Sequence, residues 1–208
     1  SIGNCVQANS IKEIYMSIDI DNNGDAHITE KWECYVTEGT EVYHPYYNLG
    51  NSEIKDLVVS DKNGTDYTTL NYWNTSGTLA SKANKCGINK ISDGVEICWG
   101  ISSYGSHEYT VRYTITNFVS ELTDSQMIYW TLIPHNFSNK INDMSIDIHT
   151  DFDIPDTTDV WGYGNYGGTA YVYNGRIYMR SDGALSTDEY MTILVKFPKG
   201  TFNTTNKL

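Results

Sequence analysis

The stretch IYMSIDIDNNGDAHITEKWECYV, residues 14–36, alternates apolar and polar side chains on both sides of Asp21-Asn22-Asn23-Gly24. Ile14, Met16, Ile18 and Ile20 share one parity, as do Ala26, Ile28, Trp32, Cys34 and Val36. The positions between them are mostly Ser, Asp, His, Thr, Lys and Glu. A period of two is that of a strand with one buried face. A loop of Asn22, Asn23 and Gly24, with the glycine supplying a positive φ, places Ile20 opposite Ala26, Ile18 opposite Ile28 and Ile14 opposite Trp32. The segment therefore reads as a β-hairpin.

The same residues fit a calcium-loop pattern. Asp19, Asp21 and Asn23 fall at its first, third and fifth positions, Gly24 at the sixth and Glu30 at the twelfth. Ile11, Ile14, Tyr15 and Ile18 would form the helical stripe ahead of such a loop. Met16 and Ile20 fall off that stripe, however, and the usual apolar eighth position is Ala26, with Ile28 displaced to the tenth. Strand parity accounts for all of these residues and helix parity for about half, so the acidic tip is read as solvated.

A length of 208 residues, 39% of them hydrophobic, suffices for one sizeable core, and no compositional shift divides the chain. Residues 11–200 are expected to form a single domain, preceded by a segment 1–10. The polar stretch 201–208 is expected to be a mobile tail leading toward a membrane anchor. Tyr (17 residues) far outnumbers Phe (5), which suits strands with one wet face. The formal charge of −12 repels phosphate backbones, and Lys and Arg do not cluster, which argues against nucleic acid as a partner. No apolar run of about 18 residues occurs, so no membrane helix is expected in this chain. The chain does not open on Met, which fits removal of a signal peptide.

Further alternating runs follow. Glu53 to Asp61 and Thr65 to Trp73 flank Asp61-Lys62-Asn63-Gly64, a hairpin signal. Gly94 to Ile101, His107 to Asn117, Gln126 to Ile133, Asn142 to Thr150 and Glu189 to Phe197 read as strands. Asn174-Gly175 joins two more through a type I′ turn. About ten to twelve strands are counted, and the expected fold is all-β, an antiparallel β-sandwich.

Cys5, Cys34, Cys86 and Cys98 lack zinc-site spacing. Two readings stay open: local disulfides, Cys5 with Cys34 and Cys86 with Cys98, or buried free thiols. Gly162-Tyr163-Gly164-Asn165-Tyr166-Gly167 matches G-x-G-x-x-G, but a strand hairpin rather than a helix follows, so it reads as a turn. The acidic run Asp151, Asp153, Asp156 and Asp159 has no recognised ligand spacing and reads as a solvated loop in preference to a calcium site. The five histidines show no H-E-x-x-H pairing and no serine sits in a G-x-S-x-G elbow. No catalytic residue, metal or cofactor is expected, and the chain is read as no enzyme.

In order and spacing, Gly24 to Glu30 (G-D-A-x-I-T-E), Glu108 to Asn117, Asp124 to Trp130, W-G-Y-G from Trp161 and Val195 to Gly200 together resemble a known family. It is the N-terminal domain of the bacterial predicted membrane protein family, domain of unknown function twenty-two-oh-seven. The resemblance implies an extracytoplasmic β domain after a signal peptide, anchored by transmembrane segments outside this chain. It implies no established activity. The functional reading is a non-catalytic module at the cell surface, contacting a protein or cell-wall polymer. The alternative is a carbohydrate-binding module in which Trp161, Tyr163 and Tyr166 form a stacking platform; an enzyme acting on the cell wall is the weakest reading.

Overall fold

The structure, a computed structural model, describes residues 9–204. Its strands are, in chain order, β1 (Ser10–Ile20), β2 (Ala26–Val36), β3 (Glu41–Tyr47), β4 (Ile54–Ser60), β5 (Thr68–Thr69), β6 (Lys85–Ile91), β7 (Gly94–Gly100) and β8 (Gly105–Ile115). There follow β9 (Val119–Glu121), β10 (Ser125–Ile133), β11 (Met144–His149), β12 (Asp159–Tyr163), β13 (Thr169–Tyr173), β14 (Arg176–Arg180) and β15 (Met191–Pro198). A single helical turn, α1 (Leu79–Lys82), follows Thr78, whose side chain accepts from the Ser81 amide. Among the described residues no helix is long and apolar enough to cross a membrane.

The opening hairpin has the register that parity dictates. Ile20 pairs with Ala26, Ile18 with Ile28 and Ile14 with Trp32. Gly24 turns the loop at φ 82°, and Asp21 Oδ1 accepts the amides of Asn23 and Asp25. Glu30 points into the core, away from this tip, so the residues of the calcium-loop pattern do not converge.

The all-β class holds, but the simple antiparallel sandwich of ten to twelve strands does not. Among the described residues, fifteen strands form a seven-stranded sheet, β13-β14-β11-β1-β2-β8-β4, and two four-stranded sheets, β12-β15-β10-β9 and β3-β7-β6-β5. β1 runs parallel to β11, and β5 parallel to β6. Alternation marks a strand without giving its direction or neighbour, so parallel pairing is invisible to it. The Asp61–Gly64 turn is present, with the Asp61 amide bonded to the Thr65 carbonyl, but its returning strand leaves after one bridge and pairs with β6.

The buried face of the large sheet is the floor of one apolar core to which all three sheets contribute. Ile14, Met16, Ile18, Val111, Ile146 and Ile148 are fully buried there. Each such side chain contributes about 1.5–3 kcal/mol by leaving water. At the rim, Gly162 lets β12 approach β13 and β14: a Cβ in its place would lie 2.9 Å from Ala170 Cβ and 3.1 Å from Met179 Cε.

Packing bears on two further expectations. Cys34, Cys86 and Cys98 are free, buried thiols, while Cys5 lies outside the described residues. Cys86 stands opposite Trp99, and Cys98 opposite Gly87, so adjacent parity turns the two thiols to opposite faces. The segment after Gly200 is not a free tail as far as residue 204. Phe202 is 4% exposed, its ring 5.2 Å from that of Phe197 and 5.7 Å from that of Phe152. The buried Gln126 amide accepts from the Phe202 amide at 2.7 Å and donates to its carbonyl at 2.9 Å. The Asn203 amide bonds the Asn22 carbonyl at 2.7 Å, on the tip of the first hairpin. One aromatic residue suffices to anchor an otherwise polar segment.

Candidate functional site

Trp161, Leu194 and Tyr129 stand opposite one another on β12, β15 and β10, so their side chains share one face of that sheet. The adjacent row, Val160, Val195 and Ile128, packs on the core. Trp161 is 42% exposed and Tyr129 60%. Strand spacing of about 4.8 Å makes this a flat apolar row roughly 10 Å across. The next outward row is Tyr163, Thr192 and Thr131, whose two threonine hydroxyls bond each other at 2.7 Å.

Beyond Tyr129 this face runs into a groove of about 420 Å³. Tyr47 and Asn48 enter it from the end of β3, and Tyr129, Trp130 and Thr131 from β10. Pro134, His135 and Tyr190 complete it. The His135 and Tyr190 rings lie 4.4 Å apart.

Beneath the groove lies a buried polar cluster joining all three sheets. Glu30 of β2, on the core parity between Ile28 and Trp32, is 0% exposed. Its Oε1 accepts from Trp32 Nε1 at 2.9 Å and meets His44 Nδ1 at 2.9 Å, and its Oε2 accepts from the Tyr113 hydroxyl. The Tyr46 hydroxyl donates to that of Tyr113 at 2.6 Å. His44 Nε2 donates to the Leu132 carbonyl at 2.7 Å. That carbonyl belongs to a bulge, where the β10–β15 register slips between Thr131 and Ile133. A carbonyl can only accept, so the imidazole donates from both nitrogens when Glu30 is ionised.

Burial alone would push the Glu30 carboxyl up. The His44 charge and the hydrogen bonds from His44, Tyr113 and Trp32 outweigh it and hold the group below the usual carboxylate range. Burial raises the Tyr46 and Tyr113 hydroxyls well above their ordinary value, with the Glu30 charge adding to it. The cluster is thus a satisfied ion pair at the meeting point of three sheets, with both charged side chains enclosed.

Of the residues singled out in the sequence, Trp161 and Tyr163 both lie on the outer face of β12. Tyr166 projects from the following turn, 96% exposed. The residues that complete an aromatic surface with Trp161 are Leu194 and Tyr129, brought alongside by register. The G-x-G-x-x-G segment is the turn into β13, with Gly164 at φ 111° and Gly167 at φ 81°. Among the described residues no group of three or more His, Cys, Asp or Glu is placed to hold a metal ion. Sequence reading missed Glu30 and His44, although a lone carboxylate on the apolar parity of β2 was the available signal.

A family model described as the N-terminal domain of a predicted membrane protein (DUF2207) matches residues 10–197. No curated protein sequence matches the chain. Among solved structures it is similar to yeast LTA4 hydrolase in complex with bestatin, with a TM-score of 0.55 at 7% identity, covering 90% of this chain and 28% of that one. It is also similar to a Legionella pneumophila protein described as a candidate nutrient binding protein, with a TM-score of 0.51 at 11% identity, covering 89% of this chain and 66% of that one. The chain therefore spans just over a quarter of the hydrolase, and at these identities the likeness is one of fold.

Proposed function

The chain belongs to the predicted membrane protein (DUF2207) N-terminal domain family, and from that premise we propose that it is a non-catalytic, extracytoplasmic recognition domain of a membrane-anchored protein. Its partner is a protein or cell-wall polymer at the cell surface. The observation that carries this reading is the exposed row Trp161, Leu194 and Tyr129, continuous with the groove beside it. An apolar stripe of this kind on a chain of net charge −12 is a surface that gains by being covered. The Glu30–His44 pair supports a structural role in place of a catalytic one, because every polar atom of it has a partner within the protein.

A second reading, a carbohydrate-binding module, is favoured by the same row, since flat aromatic faces suit sugar rings. The test is sedimentation of the purified domain with envelopes of the source cells, alongside labelling of intact cells with a membrane-impermeant amine reagent. Binding that weakens in a Trp161→Ala/Tyr163→Ala variant, together with labelling of the domain from outside, is the expected result. No binding, binding indifferent to those substitutions, or protection from the reagent would sink the proposal.

A further inference from the structure

We propose that the groove between the end of β3 and the bulged end of β10 binds a neutral glycan chain. This rests on the recognition reading above and supplies the ligand chemistry that reading leaves open.

The lining comes first. Tyr47, Tyr129, Trp130 and Tyr190 supply aromatic residues to the lining, and Asn48 and His135 add hydrogen-bonding groups. A pyranose has the complementary build, with C–H groups on its faces and hydroxyls around its rim. The volume, about 420 Å³, lies within the range of small-ligand sites.

Charge narrows the class. No Asp, Glu, Lys or Arg lines the groove, in a chain with 26 acidic and 14 basic residues. An anionic polymer would meet the net charge of −12 without a local cation to offset it, and a cationic one would find no carboxylate in the groove. An uncharged ligand is the one this surface suits.

Backbone edges then separate a glycan from a peptide. β3 is the end strand of its sheet, and β10 pairs with β9 only from Gln126 to Ile128, so the groove lies between two edges that an extended peptide would join. Both edges are blunted. Pro45 removes a donor from β3, and His44 occupies the Leu132 carbonyl of β10. What the edges leave free is side-chain surface, which stacks on rings and does not extend a ladder. The His44–Leu132 and Glu30–His44 bonds hold the two strands in place from below, so little ordering is required on binding.

The experiment follows the tryptophan emission of the full chain on titration with chitohexaose, cellohexaose and mannohexaose, and separately with a proline decapeptide. The expected result is a saturable change with at least one hexasaccharide. Tyr129→Ala and Tyr190→Ala should each weaken it about tenfold or more with circular dichroism unchanged, while Tyr72→Ala, outside the groove, should leave it intact. The proposal is overturned by no saturable change with any of the three sugars up to about 10 mM, by binding indifferent to both groove substitutions, or by the decapeptide binding in their place. Envelope sedimentation that persists while all three sugars fail would overturn this inference and spare the recognition reading. Failure of both would remove both.

Discussion

Replacing Phe202 with Ala tests whether the last described residues belong to the core. The ring is 4% exposed and packs edge to face on Phe197 and obliquely on Phe152. Removing a buried phenyl ring costs about 3–5 kcal/mol, from lost transfer energy and the cavity left behind. For a chain of this size each kcal/mol moves Tm by about 2–4 °C, so the variant should melt about 6–20 °C lower. Truncation after Gly200 should do more. It also strips the buried Gln126 amide of both its bonds to Phe202, leaving only the bond from Nε2 to Glu121 at 2.7 Å. An orphaned buried acceptor costs about 1–3 kcal/mol, which brings the truncation to about 4–8 kcal/mol. That is comparable with the whole stability of an ordinary domain, about 5–15 kcal/mol. Urea unfolding followed by circular dichroism measures both. A Phe202→Ala variant within about 1 kcal/mol of the parent, or a truncated chain that melts with it, would refute the reasoning.

Glu30→Gln should cost about 3–5 kcal/mol, because it leaves His44 buried without its counter-charge. Since the folded Glu30 carboxyl titrates below its ordinary value, its stabilisation is complete above the unfolded value and is lost as pH falls through the lowered one. A plot of Tm against pH should show an acid limb that Glu30→Gln flattens, and an unchanged limb would contradict the pair. Burial, with the Glu33 charge beside it, pushes the Cys34 thiol up to about 12, and burial likewise raises Cys86 and Cys98. Native protein treated with iodoacetamide near neutral pH should therefore leave all three unmodified over a time that alkylates the denatured chain, as mass spectrometry will read; a Cys86–Cys98 crosslink in folded protein would count against the structure. Gly162→Ala should destabilise by about 1–3 kcal/mol in urea, since the new methyl overlaps Ala170 and Met179, whereas a gain in stability would mean that the sheets are further apart at that rim.

How far the sequence speaks depends on where its signal resides. Parity is a local property, so it located β1, β2, β8, β11 and β15 and the register of the first hairpin, where the large apolar residues alternate along most of each strand. It passed over β3, where His44, Pro45 and Tyr46 are buried consecutively, and β12, whose residues are mostly exposed. It had no access to the β1–β11 pairing, which joins Ile14 to Met144. The candidate surface divides along the same line. Trp161 and Tyr163 stood out as aromatics in a turn-rich segment, but their neighbours Leu194 and Tyr129 come from other strands and are placed by tertiary register alone. Composition led the other way at the C-terminal segment, where Phe202 is a single aromatic among polar residues and outweighs them because its ring is enclosed. Glu30 was legible in principle, as a carboxylate on the wrong parity.

The bond between Asn203 and Asn22 ties the last described residues to the tip of the first hairpin. β1 begins at Ser10 and ends ten residues later, at Ile20, beside the hairpin tip that Asn203 touches. At about 3.3 Å per residue, the start of β1 and the Asn203 contact lie some 33 Å apart, at opposite ends of one strand. Tension applied between those two points would run along β1, which is bonded to β2 on one side and β11 on the other. It would load those hydrogen bonds in shear, all together, and would not peel them open one by one. Resistance to such a pull would then depend on how fast the central strand can slide free, a rate that equilibrium stability does not set.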